Sequence, residues 1–199
     1  LIKFDDVMND QRQVIFTQRL KILKEKDISK LLKDFFDEVL KDLEKLSNNY
    51  QKSNDEKYLT EIKNVTGSSL SDAQLVKLTS EDRDVFVTKM KDLFEDKKEN
   101  RIKVLGEEQN KSIEKKIFLQ IIDFSWRSHL QYLEQLRQVI GLRSYGQRDP
   151  LIEYKKEAFN LFESLLDKLK YQTTSVLLNI KILTENHKVE ENKNQSTNP

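Results

Sequence analysis

The chain has 199 residues, and 37% of them are apolar and 35% are charged. Its 35 lysines and arginines nearly balance its 34 aspartates and glutamates, so no overall field steers it to nucleic acid or to an anionic membrane. The absence of cysteine excludes a disulfide framework and a thiolate metal site, and His129 and His187 are too few for a histidine-based one. Four glycines and two prolines are too few for the turns of a β-sandwich or barrel, so the sequence predicts an all-α fold.

Membrane and export patterns are not visible in the sequence. No stretch approaches about 18 uninterrupted apolar residues, and no cationic and apolar leader precedes a cleavage site. We therefore expect a chain that neither spans a membrane nor carries an export signal. It starts at Leu1 rather than at methionine, so we also expect it to be part of something longer.

The first predicted element is one long helix from about Asp6 to Leu46. Apolar residues recur along it at spacings of three and four, which is typical of a helix packed lengthwise on others. These residues are Ile28, Leu32, Phe35, Val39, Leu43 and Leu46. At ~1.5 Å per residue the helix would be roughly 60 Å long.

Between residues 47 and 106 the pattern changes to short helical pieces with polar joints, at 47–49 and at 66–69. Ser71 followed by Gln74 predicts a capping box, and Thr79 with Asp82 predicts a second one. The apolar content of this region is sufficient for a modest local core. It indicates a small inserted helical subdomain without chemistry of its own.

A long amphipathic helix returns from about Lys111 and is predicted to end at Gly141. A second helix then begins at Pro150 with Asp149 as its N-cap, because proline lacks the N–H that a first helical turn leaves unused. The short connection predicts an antiparallel hairpin about 45 Å long. The polar segment 184–199 is predicted to be disordered.

The loop between these two helices, residues 141–149, contains Tyr145. From residue 137 to residue 156 there are five cations against two anions, a local net charge of +3. One interpretation is an ordinary turn whose tyrosine folds back on the hairpin. The other is a contact surface for a carbonyl-rich or anionic partner, since arginine and tyrosine both donate hydrogen bonds.

Other polar residues have mainly structural interpretations. His129 lies one helical turn from Trp126, and we expect both in the helix interface rather than at a metal or acid–base site. Asp5 and Asp6 either favour the start of the first helix or bind a basic partner. The sequence contains no phosphate loop, no GxGxxG, no HExxH and no nucleophile elbow, which favours a scaffold or binding module over an enzyme.

Two stretches carry a family resemblance. The first is FDDVMNDQR at positions 4–12, and the second is IDFSWRSHL at 122–130 followed by LRQVIGLRSYGQRDPLIEYK at 136–155. They resemble the YDDVMNxQR and DxxWxxHL…LRxGIGLRxYGQRDPLxEYK segments of SecA preprotein translocase ATPases. The second match is long and specific. Phe4 stands where the family usually has tyrosine, and Val139 where it usually has glycine.

The resemblance implies three parts: a scaffold helix at 1–46, a helical wing at 47–106 and a two-helix finger at 107–183. It also implies that the finger reaches a SecY-type channel and that its tip contacts the moving preprotein. The residues that match these roles fall into three groups. Tyr145, Leu142 and Arg143 would contact preprotein, Arg137, Arg148 and Asp149 would contact the channel or regulate the ATPase, and Trp126 and His129 would pack the scaffold.

The resemblance further implies that this chain is the mechanical part of an ATPase and is not itself an enzyme. It would hold no cofactor, because ATP and Mg would bind a motor outside it. Its location would be cytoplasmic, peripheral at the inner face of the plasma membrane, with motor and preprotein-binding domains in the same longer chain. Two alternatives stay open on composition: a stand-alone helical adaptor or chaperone-like module, and, less favoured, a nucleic-acid-binding hairpin.

Overall fold

The computed structural model describes the backbone of residues 2–143 and 149–182, and side chains within 3–141 and 149–182. Within these ranges the chain forms α-helices and one 3-10 turn and contains no strand, so the predicted all-α fold is confirmed. The helices are α1 (Ile2–Lys24), α2 (Ser29–Ser53), α3 (Glu56–Thr66), α4 (Asp72–Thr79), α5 (Arg83–Leu105), α6 (Glu107–Arg143) and α7 (Pro150–Asn179). The 3-10 turn, Gly67–Ser69, joins α3 to α4.

The antiparallel pair of α6 and α7 organises the fold, and the predicted hairpin is present. Its base is surrounded by α2, α3 and α5, which with α4 contribute to a large apolar core. Nearer the tip, α1 lies against both hairpin helices and closes a small core. The buried residues of this small core are Leu133, Leu136, Ile140, Tyr154 and Ala158.

The prediction of one unbroken helix from Asp6 to Leu46 is wrong, because the chain leaves the helix between α1 and α2. Ile22 and Ile28 flank this break and are both 5% exposed. In a straight helix, residues six positions apart point about 120° apart, so one face could not bury both. Polar contacts satisfy the interrupted backbone: Asp27 accepts a hydrogen bond from Ser29 N at 2.8 Å, and Lys115 donates to the carbonyls that end α1.

Helix α2 is longer than predicted at its C-terminal end and continues through the polar triplet at 47–49 to Ser53. Ser47 is buried there, and its hydroxyl donates to the carbonyl of Thr79 at 3.4 Å. Asn54 caps the helix: its N–H donates to the carbonyl of Tyr50, and its left-handed φ of 54° turns the following chain out of the helix. Tertiary contact therefore extends a helix across a sequence that locally favours a joint.

The capping box at Ser71 and Gln74 is confirmed, with both reciprocal hydrogen bonds present. The second predicted box is wrong. Thr79 is the last residue of α4, and its buried hydroxyl donates back to the carbonyl of Leu75 at 3.0 Å. Asp82 precedes α5 but makes no side-chain cap.

Helix α6 begins at Glu107, directly after Gly106, and is helical through Arg143 rather than ending at Gly141 as predicted. The start of α7 is as predicted: Asp149 accepts a hydrogen bond from Leu151 N at 2.8 Å, and Pro150 occupies the first helical position. The predicted disordered tail, 184–199, lies outside the described residues.

Candidate functional site

Three side chains of α1 make polar contacts with the hairpin along its length. Near the tip, Arg137 donates to Asp5 at 3.2 Å, so Asp5 has the basic partner that the sequence left open. At the other end, Arg19 forks onto both carboxylate oxygens of Asp123 at 2.8 and 3.0 Å. This hydrogen bonding, together with the charge of Asp123, raises the pKa of Arg19. The two ion pairs fix the register of α1 on α6.

The third contact, at the middle of α1, joins three helices through a glutamine and a histidine. Gln11 donates through Nε2 to the carbonyl of Ala158 at 3.0 Å, and its Oε1 lies 2.7 Å from His129 Nε2. The Gln11 oxygen can only accept, so His129 must carry its proton on Nε2. Burial lowers the pKa of His129 to about 4, so the ring is neutral at physiological pH.

His129 therefore lies inside the helix interface, as expected for a packed imidazole. Its ring centroid is 5.5 Å from that of Trp126 and 5.8 Å from that of Phe162. The part of the chain that the structure describes contains no group of histidine and carboxylate side chains able to hold a metal ion.

Trp126 is less enclosed than the predicted burial requires. It is half-buried and packs against the edge of the large core. On a helix it lies about 40° around the axis from Ile122, the buried residue one turn earlier. This angle places the indole at the margin of the buried stripe, where one side of the ring remains in solvent.

The residues matched to the fingertip are only partly described. Leu142 and Arg143 are the last helical residues of α6, but their side chains lie outside the described part, as do Tyr145 and Arg148 entirely. Arg137 and Asp149, which were matched to the channel or to ATPase regulation, are described and both have intramolecular partners. Arg137 pairs with Asp5, and Asp149 caps α7. The structure thus brings Arg137 to α1.

The aromatic residue of the first motif also packs at this end of the hairpin. Phe4 meets the buried ring of Tyr154 edge-on, with centroids 4.9 Å apart. Burial raises the pKa of Tyr154 above its ordinary value. Phenylalanine at position 4 therefore serves the small core.

A cleft of about 500 Å³ between α6 and α7 is a feature that the sequence did not reveal. Phe124 and Tyr132 stand at its rim and are 64% and 53% exposed. The remaining lining residues are Ser125, Ser128, His129, Leu161, Ser164, Leu165, Lys168 and Gln172. The cleft therefore combines exposed aromatic side chains with hydroxyl and amide groups. The indication of this cleft in the sequence was that Phe124 and Tyr132 lie outside the stripe of buried positions on α6.

Among the described helices, none has a run of apolar residues long enough for a membrane span.

At the other end of the hairpin, a buried charge on α5 was also missed by sequence reasoning. Arg101 occupies the same stripe as Phe86, Met90 and Phe94, and only its position on that stripe distinguished it from the other charged residues.

Comparison with known proteins agrees with this architecture. The family model described as the SecA Wing and Scaffold domain matches residues 1–181. The protein translocase subunit SecA of Pelagibacter ubique is 46% identical over 186 residues, which cover 93% of this chain and 22% of the relative. The SecA subunits of Caulobacter vibrioides and Hyphomonas neptunium are 40% and 36% identical, each over 92% of this chain and 20% of the relative.

The chain spans about a fifth of the length of these relatives. The long helices, the inserted short ones and the motif residues on α1 and α6 lie inside the match. The chain belongs to the SecA family, in which it corresponds to the wing and scaffold domain.

Proposed function

We propose that this chain is the force-transmitting part of a longer, ATP-driven translocase, in which it couples hydrolysis in a motor to preprotein movement through a SecY-type channel. The observation that supports this most is the match of residues 1–181 to a wing and scaffold domain, at 46% identity to a translocase subunit. A stand-alone adaptor is not favoured, because that match covers nearly the whole chain.

The architecture suits force transmission. A hairpin of two long helices resists bending, since each helix packs on the other along its length. Helix α1 splints the tip half through Asp5, Gln11 and Arg19. A push on the base would therefore reach the tip with little loss to flexing.

In this proposal the tip residues Tyr145, Leu142 and Arg143 contact the preprotein, and Arg148 contacts the channel. Arg137 and Asp149 would act on the channel or the ATPase through the contacts they already make, the ion pair with Asp5 and the cap of α7. Trp126 and His129 would hold the hairpin against the scaffold. The chain itself would neither hydrolyse ATP nor hold a cofactor, with ATP and Mg in the motor, and the longer protein would work at the cytoplasmic face of the plasma membrane.

Segment replacement tests the proposal. Residues 1–181 would replace the matching segment in the SecA subunit of Caulobacter vibrioides, and preprotein transport into inverted membrane vesicles would be measured alongside ATP hydrolysis. We expect the chimera to transport preprotein, and a chimera with the same segment deleted to fail. A chimera that folds and hydrolyses ATP but moves no preprotein would contradict the proposal.

Tyr145→Ala tests the tip assignment within that chimera. We expect transport to fall sharply while basal ATP hydrolysis is largely kept. The tyrosine ring and hydroxyl can contact the backbone of any preprotein, whatever its side chains, and alanine cannot replace that contact. In the isolated chain the same change should alter the free energy of unfolding by no more than about 0.5 kcal/mol. Unchanged transport, or a loss of stability typical of a core deletion, would show that Tyr145 is structural.

A further inference from the structure

The C-terminal end of α7 is capped by side chains from the wing helices, which we define as α3, α4 and α5 with the 3-10 turn. The last four carbonyls of any helix lack partners within it. Here the carbonyl of Leu177 accepts from Arg101 at 2.7 Å, and that of Leu178 accepts from the hydroxyl of Ser69 at 2.6 Å. In return Asn179 donates to the carbonyl of Val65 at 3.1 Å. The base of the hairpin therefore ends in the wing.

Arg101 differs from the other capping groups because it also binds α6. Its Nη2 donates to Glu114 at 2.9 Å and its Nε donates to Asn110 at 3.2 Å, while its Nη1 holds the carbonyl of Leu177. The side chains of Arg101 and Glu114 are only 4% and 3% exposed. One planar guanidinium thus fixes both hairpin helices relative to α5, which a lysine could not do with a single ammonium group.

The covalent junction between α5 and α6 does not fix their angle. The two helices are joined by Gly106 alone, at a φ of 81°, and apart from its two chain neighbours no residue has an atom within 4 Å of where a Cβ would stand. A glycine in open space permits other bends. The angle must therefore be set by noncovalent contacts, and among the described residues Arg101 with Glu114 is the one buried ion pair that joins α5 to α6.

The ion pair of Arg101 with Glu114 is not an arrangement that maximises stability. The second carboxylate oxygen of Glu114 is buried and has no hydrogen-bond partner among the described residues. An unpaired buried oxygen costs free energy, and buried ion pairs are often no more stabilising than apolar residues of the same volume. What the ion pair provides is a fixed geometry between α5 and the hairpin.

We propose that Arg101 is a positioning residue that sets the angle between the wing helices and the α6–α7 hairpin, so that wing and hairpin base move as one body. The capped end of α7 would then be the fixed point of the hairpin and the tip its free end. This role goes beyond the proposed function, because the angle between wing and hairpin is a property of this chain whatever longer protein contains it.

Distance measurements between spin labels test this directly, because the chain contains no cysteine of its own. One label pair, Val76→Cys with Phe159→Cys, would join wing to hairpin, and a second, Val76→Cys with Val104→Cys, would lie within the wing. All three positions are exposed. Arg101→Met would be compared with Lys103→Met, a matched control on the exposed side of α5.

We expect Arg101→Met to broaden and shift the wing–hairpin distance distribution, and to leave the distribution within the wing unchanged. Lys103→Met should change neither. An unchanged wing–hairpin distribution in Arg101→Met would overturn the proposal, since apolar packing would then set the angle. So would an equal broadening within the wing, which would show general loss of structure.

A double variant separates positioning from stability. Arg101→Met with Glu114→Leu removes both buried charges, so thermal stability should return towards that of the unmodified chain. We expect the wing–hairpin distribution to stay broad all the same. A double variant with restored stability and a narrow distribution would assign the angle to packing and overturn the proposal.

Discussion

The base and the tip of the α6–α7 hairpin are held by different means. At the base, α2 to α5 and the C-terminal half of α1 contribute to the large core, and the ion pair of Arg101 with Glu114 is buried. Towards the tip only α1 accompanies the hairpin, over a small core of five buried residues. The ion pairs of α1 with α6, Arg137 with Asp5 near the tip and Arg19 with Asp123 midway along the hairpin, keep between 30% and 45% of each side chain exposed.

This difference teaches how the two ends of one hairpin can be held with different stability. Burial of apolar area stabilises the base, whereas half-exposed ion pairs are screened by water and contribute little each. Local opening should therefore cost less free energy at the tip than at the base.

The largest expected effect comes from the base. Phe36 is 2% exposed and stacks on Phe94 with ring centroids 4.2 Å apart. Phe36→Ala should lower the free energy of unfolding by about 3–5 kcal/mol, since lost transfer energy and a cavity add. Urea unfolding followed by circular dichroism measures this. Phe16→Ala, at a 52% exposed position on α1, is the control, and equal losses in both variants would contradict the comparison.

A second, smaller loss of stability should appear when the pH is lowered, and it should come from His129, between the base and the tip. Unfolded histidine has a pKa near 6.5, and burial lowers that of His129 to about 4. Between these values the unfolded chain binds a proton that the folded chain does not, so stability should fall as pH drops through this window. The total loss should reach at most about 3 kcal/mol.

The contribution of His129 is isolated by subtraction. Urea midpoints of the unmodified chain and of His129→Gln would be measured between pH 7 and pH 4. The difference between the two curves should shrink as pH falls, because glutamine has no proton to gain. Parallel curves would show that the imidazole is solvated and that this junction is looser than described.

Trp126 should give a smaller loss still, because one side of its ring stays in solvent. Trp126→Ala should cost about 2 kcal/mol, roughly half the loss of a fully buried indole. Urea unfolding measures the change. A loss equal to that of Phe36→Ala would place Trp126 in the core, and no loss would place it on the surface.

The smallest effect should come from the tip ion pair. A double-mutant cycle with Asp5→Asn and Arg137→Met should give a coupling energy of about 0.5 kcal/mol at low ionic strength, decreasing further in high salt. Thermal unfolding at two salt concentrations would measure it. A coupling of several kcal/mol that is insensitive to salt would mean that the tip is as firmly held as the base.

Local features were predictable from the sequence because neighbouring residues decide them. The capping box of Ser71 with Gln74 and the start of α7 at Asp149 and Pro150 depend on atoms within one helical turn. The family was also recognisable, since its two motifs survive almost letter for letter. The hairpin followed from periodicity and a short connection.

The failures share a different cause. The break after α1 is stabilised by Lys115, which is 90 residues from Glu25 in sequence. Thr79 resembled an N-cap but is buried at the end of α4, where its carbonyl accepts hydrogen bonds from Ser47 and Gln51 of α2. In each case a contact between distant parts of the chain overrode the local preference.

The sequence by itself determined the helical class, the starts of α4 and α7, the hairpin and the family, because periodicity and capping act over a few residues. Only the tertiary structure decided which charges pair and which are buried. Arg19 meets Asp123 across 104 positions and Gln11 meets His129 across 118. Arg101 became a buried charge because three helices enclose it. A charged residue reads the same in sequence whether water or protein surrounds it, and the free energy of a charge depends on that surrounding.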